Sequence, residues 1–212
     1  MTAMTSALLD RWTALLLRTG ATVDPAPYGR DLLARWAEPQ RHYHRTEHLT
    51  AVLDQIDALA GHAEDPDAVR LAAWFHDAVY KPDRSENEER SAQLAIRALR
   101  EAGLAEALVE EVARLVRLTV GHHPAPGDRN GEVLCDADLA VLGGTPGQYA
   151  DYAAAVRTEY GFVPEDAFRT GRAEILRQLL ALPALYRTDH ARERFDAAAR
   201  RNLAAELMLL ER

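Results

Sequence analysis

The chain has 212 residues, of which 48% are hydrophobic and 27% charged; it is long enough to bury a core and lies outside the low-hydrophobicity, high-charge signature of disorder. Acidic residues outnumber basic ones 33 to 25, for a formal charge of −8, so no field draws in a phosphate backbone and nucleic acid polymers are not expected partners. The single cysteine, Cys135, excludes an intrachain disulfide framework and fits a reducing, cytoplasmic setting. No apolar run approaches the roughly 20 residues of a membrane helix, so no membrane association is expected. Asp10, Arg11 and Arg18 bracket Ala14-Leu15-Leu16-Leu17 too closely for the core of a signal peptide.

In chain order, Leu8, Leu9, Trp12, Leu15 and Leu16 recur at helical spacing behind Thr5 or Ser6 as caps, with Gly20 closing the segment. Further helices are predicted at about 28–37, about 45–60 and about 66–80, each bounded by Pro, Gly or Asp clusters. Ser85-Glu86-Asn87-Glu88 reads as a capping box that opens a helix ending at Gly103, and the next spans about 104–122. A short helix near 132–142 follows the Pro124–Asp128 loop, and three more fit about 146–160, 165–181 and 190–211. No segment alternates apolar and polar residues as a half-buried strand does, so the expected class is all-α.

Four polar positions fall where helical geometry calls for apolar residues. His44, His48 and Val52 are four apart, beside Leu49, Leu53 and Ile56, which puts both histidines on or beside the core-facing stripe. Leu71-Ala72-Ala73-Trp74-Phe75 is apolar all round, the mark of a buried central helix, and His76-Asp77 follows at once. Leu134, Asp138 and Leu142 share one face of the short helix, whereas Asp136 is turned about 200° from Asp138. Buried unpaired carboxylates cost several kcal/mol, so two of them beside two inward histidines require a shared compensating charge. A divalent ion held by His48, His76, Asp77 and Asp138 supplies it, and the mixed nitrogen and oxygen set suits Mn, Fe, Co, Ni, Mg or Zn.

The order His48, then His76-Asp77, then Asp138 resembles the H…HD…D signature of the HD superfamily of metal-dependent phosphohydrolases. Tyr43-His44-Arg45-Thr46-Glu47-His48 is similar to the YHNxxH segment of many such proteins, with Arg45 in place of its asparagine. Trp74 to Tyr80, Asn87 to Ala92 and Asp136-Ala137-Asp138-Leu139 resemble a bacterial branch of predicted HD phosphohydrolases. Glu159-Tyr160, Gly171-Arg172 and Ala199-Arg200 with Asn202 extend the likeness to the C-terminal end. The resemblance implies an HD-domain helical bundle over 1–212 as one domain, a bound divalent metal, and hydrolysis of a small phosphorylated molecule, a nucleotide in the first instance. It also implies a role for His44 in protonating the leaving oxygen.

Around that centre the expectations branch. Glu88 and Glu89 either orient the attacking water or only stabilise the helix start. Lys81, Arg90 and Arg172 are candidates to clamp a phosphate. Asp136 either hydrogen-bonds to a ligand residue or is solvated, and His122 and His123 read as helix C-terminal charges before they read as ligands. Two rival functions stand beside hydrolysis: a di-iron oxygenase or lyase drawing on Glu88, Glu89, His122 and His123, and a metal-containing sensing domain without catalysis. A homodimer is compatible with this reading but not required by it.

Overall fold

A computed structural model describes residues 3–212, and every regular element among them is helical. The chain divides into two compact units, Met1–Cys135 and Asp136–Arg212. No helix among the described residues is long and apolar enough to cross a membrane.

The first unit contains α1 (Ala3–Arg18), α2 (Ala26–Trp36), α3 (Thr46–Leu59), α4 (Pro66–Phe75), α5 (Asn87–Glu101), α6 (Glu106–Leu118) and most of α7 (Arg129–Asp138). Helix α4 is the pillar. Its start is set by Asp65, whose carboxylate accepts from the backbone N–H groups of Asp67 and Ala68, with Pro66 in the first turn where no N–H is needed. Leu71, Ala72, Ala73, Trp74 and Phe75 are all fully buried, because α1, α3, α5 and α6 pack around this one helix. Trp12 of α1 meets Trp74 and Phe75 edge-on, with ring centroids 5.3 and 5.9 Å apart, and its indole N–H reaches the Pro25 carbonyl. Gly29 permits this arrangement: a Cβ there would lie 2.5 Å from Cδ1 of Trp12.

Helix α7 is rooted in the same unit by polar contacts at its first turn. Asn130 accepts from the Asp65 N–H and donates to Glu111 of α6. Glu132 pairs with His62 at 2.6 Å, and Arg114 bridges Glu111 and Asp128.

In the second unit, the end of α7 runs into a 3-10 turn, Leu139–Gly143, then α8 (Pro146–Glu159) and α9 (Glu165–Ala181). A short α10 (Asp189–Ala191) continues through a π-helical turn, Arg192–Asp196, into α11 (Ala197–Leu210). Helix α8 opens with a complete capping box, Thr145 accepting from the Gln148 N–H and Gln148 returning the bond. Leu142, Tyr149, Leu176, Tyr186, Phe195 and Leu203 form the core of this unit. Buried Asn202 ties the 3-10 turn to α11 by donating to the carbonyls of Leu142 and Gly144.

The all-α expectation holds for the described residues, and three local expectations are corrected. The helix expected over 66–80 stops at Phe75, leaving His76 and Asp77 in the turn beyond it. The Ser85 capping box does not form, since α5 begins at Asn87 behind Glu86 and has no side-chain cap. Instead buried Asn87 reaches backward, accepting from the Lys81 N–H and donating to the carbonyls of Lys81 and Arg84. The side chain thereby satisfies the backbone of the preceding loop rather than the helix end. Helix α7, lastly, starts at Arg129, three residues before the expected 132.

Candidate metal centre

Helices α3 and α4 bring the two histidines together. His48 lies in the first turn of α3 and is buried because Leu49, Val52 and Leu53 commit that face to the core. His76 caps the C-terminus of α4 and is only 1% exposed. Its Nδ1 lies 2.8 Å from the Ala73 carbonyl. A carbonyl only accepts, so Nδ1 carries the proton and Nε2 presents its lone pair. This is the arrangement by which a backbone carbonyl orients a metal-binding imidazole.

The imidazole rings of His48 and His76 have centroids 5.5 Å apart. Asp77 closes on both, its Oδ2 lying 3.1 Å from Nε2 of His76 and 4.0 Å from Nε2 of His48. The fourth expected ligand is the last residue of α7, whose first seven residues belong to the first unit. His48, His76 and Asp138 are a set of side chains that could hold a metal ion. The donor set of imidazole and carboxylate fits a divalent ion, whose charge would offset that of the carboxylates.

Aromatic rings wall this centre. Trp36 packs on His76 and on His48, at 5.4 and 6.2 Å between centroids, while its own N–H is satisfied by the Trp74 carbonyl. Tyr43 packs on His48 at 4.7 Å. His44 is not on α3 as the spacing suggested: it lies in the turn before the helix, half-buried, and its ring is 5.7 Å from that of His48. Tyr80 packs against the His44 ring in a tilted arrangement, with 4.3 Å between centroids and 31° between planes.

Of the remaining candidates, three have charged partners of their own. Glu89 is exposed and turned to α6, where Arg117 holds it at 2.6 Å; with help from Gln93 this keeps its carboxyl down at about 2. Glu88 sits half-buried in the first turn of α5. Lys81 is exposed, and Arg90 pairs with Glu86 at 3.0 Å on the surface. Arg172 of α9 is buried in a bidentate pair with Glu206, and its guanidinium lies over the Tyr152 ring. Tyr149 donates to the same Glu206 carboxylate at 2.5 Å.

Asp136 departs from the solvated alternative. It is 1% exposed and accepts from the backbone N–H groups of Arg187 and Thr188, both at 2.7 Å. Turned away from Asp138 by the helical repeat, it tethers the 187–188 segment. Sequence reasoning also passed over Arg41, whose side chain is completely buried. It donates to the carbonyls of His44, Asp77 and Ala78 and pairs with Glu38. Its one signal in the sequence was its place two residues before Tyr43.

No protein-family model, curated protein or solved structure matches this chain.

Proposed function

We propose that the chain is a metal-dependent hydrolase acting on an ester or anhydride of a small phosphorylated molecule, a nucleotide being the first class to test. The grouping of His48 and His76 with Asp77 supports the metal-dependent part of this reading, with Asp138 as the fourth proposed ligand. The phosphoester class rests on the resemblance of the local strings to HD phosphohydrolases. A divalent ion at the centre would supply positive charge to a phosphoryl oxygen and make water a stronger nucleophile near neutral pH.

The chain's own groups account for the rest. The His76 ring is oriented by the Ala73 carbonyl, leaving Nε2 to face a metal ion. His44, beside His48 but ahead of the helix, delivers a proton to the oxygen of the breaking P–O bond while water adds to phosphorus; it recovers its proton from solvent. Tyr80 packs against the His44 ring, and Trp36 and Tyr43 limit solvent around the histidine pair. Positioning and charge neutralisation carry most of the acceleration in phosphoryl chemistry.

The test is elemental analysis of the purified protein, followed by phosphate release from monoesters, diesters and nucleotides with each of Mn, Fe, Co, Ni, Mg and Zn. Metal bound near one equivalent and metal-dependent release that Asp77→Asn abolishes are the expected results. Failure of every metal to bind, or release indifferent to metal and to Asp77→Asn, overturns the reading.

A further inference from the structure

Arg41 is a fully buried cation in a loop, between the end of α2 and the start of α3. Burying a guanidinium is costly unless its donors are satisfied, and here four oxygens do so. Nη1 donates to the His44 carbonyl at 3.0 Å and to the Asp77 carbonyl at 2.7 Å. Nη2 donates to the Ala78 carbonyl at 3.3 Å, and Nε to Glu38 at 3.3 Å. The guanidinium carbon also lies over two aromatic rings, 5.5 Å from the Trp36 centroid and 5.4 Å from that of Tyr80.

The three carbonyls and Tyr80 belong to two pieces of chain without regular structure. One is the 41–45 loop that carries His44; the other is the 76–80 turn that carries Asp77 and Tyr80. Neither has a helical ladder of its own, and the same guanidinium holds carbonyls of both. Tyr80 then passes the constraint on, with Arg41 over its ring and with the His44 ring tilted against it. We propose that Arg41 is a positioning residue that locks the His44 loop to the Asp77 turn, so that the proton donor and the metal-binding carboxylate keep one geometry. This rests on the reading of His44 as the proton donor. Lysine cannot substitute, because an ammonium is a single point of attachment and lacks the rigid fork that spans two carbonyls.

The test uses the full chain. In the unaltered protein, backbone amides of 41–45 and 76–80 should open to hydrogen exchange with one free energy and one denaturant dependence. In Arg41→Lys and Arg41→Met both segments should lose protection together by at least tenfold, while α5 and α6 keep theirs. Turnover should fall on the order of 10- to 100-fold in kcat with little change in KM, as small misplacements of reacting groups do. The loss should be non-additive with His44→Ala. Independent opening of the two segments in the unaltered protein, protection lost in only one of them, or additive losses in the double variant would overturn the proposal. If the unaltered protein hydrolyses no phosphoester, the proposed function falls, and the exchange measurements alone decide the role of Arg41.

Discussion

His76 has its ring orientation set by one hydrogen bond to a carbonyl three residues back, so the centre depends on side chains held individually. His76→Ala should remove bound metal, since the remaining carboxylates then lose an uncharged donor and the ion its anchor on α4; unchanged metal content by elemental analysis would contradict this. His44→Ala should behave differently, keeping the metal while losing turnover by about 10²- to 10⁴-fold on an ester with a poor leaving group. On a nitrophenyl ester, whose leaving group needs no proton, that loss should shrink sharply. Equal losses on both esters would assign His44 to scaffolding. The ligand candidates were legible because helical periodicity marks a polar residue on an apolar stripe. Arg41 was not, because its acceptors are backbone carbonyls up to 37 residues away, and no pattern of residue types announces a carbonyl.

At the scale of elements, α7 carries two aspartates with separable tasks. Asp136→Asn should lower thermal stability, because the carboxylate that accepts from two backbone N–H groups gives way to a group with one accepting atom. Loss of such a charge-assisted bond costs roughly 1.5–3 kcal/mol. Asp138→Asn should instead lower metal affinity with little effect on the melting of metal-free protein. Calorimetry and metal titration on both variants separate the two, and the reverse assignment would mean that the rotation of α7 has been misread. The root of α7 adds an acid sensitivity. Arg114, then Asn130, hold the Glu111 carboxyl below its ordinary range; in Asp128 burial pushes upward but the Arg114 and Gly131 N–H bonds prevail. A depressed carboxyl contributes stability that is present above its unfolded value and is lost as pH falls through the lower folded one. Unfolding free energies from urea titration should therefore fall further between pH 6 and pH 3 for the unaltered chain than for Glu111→Gln, by roughly 1 kcal/mol for these partly screened groups. Helix existence was readable from periodicity, but the ends were not. The end of α4 at Phe75 and the start of α5 at Asn87 are decided by what the intervening loop bonds to, and Ser91, for one, accepts from the Val79 N–H.

For the whole molecule, the question is whether the ion builds the fold or uses it. The described residues bury large apolar cores without it, Trp12, Trp36, Trp74 and Phe75 in the first unit and Leu176, Tyr186 and Leu203 in the second. Chains of this size do not need a metal in order to fold. The all-helical class followed from composition and periodicity, whereas the division at residues 135 and 136 falls inside one continuous helix, where no proline, glycine or charge run marks it. An ion bound only by the native state stabilises it by mass action, about 2.7 kcal/mol at a hundredfold excess over the dissociation constant. Chelation should therefore lower the melting temperature by roughly 5–10 °C for a chain of this length. Helical circular dichroism at room temperature should stay unchanged, because the buried tryptophans and leucines keep their partners. Collapse of the helical signal on chelation would make the centre structural; no shift in melting temperature, in protein shown to have carried metal, would mean that the ion lies outside the His48, His76, Asp77 and Asp138 group.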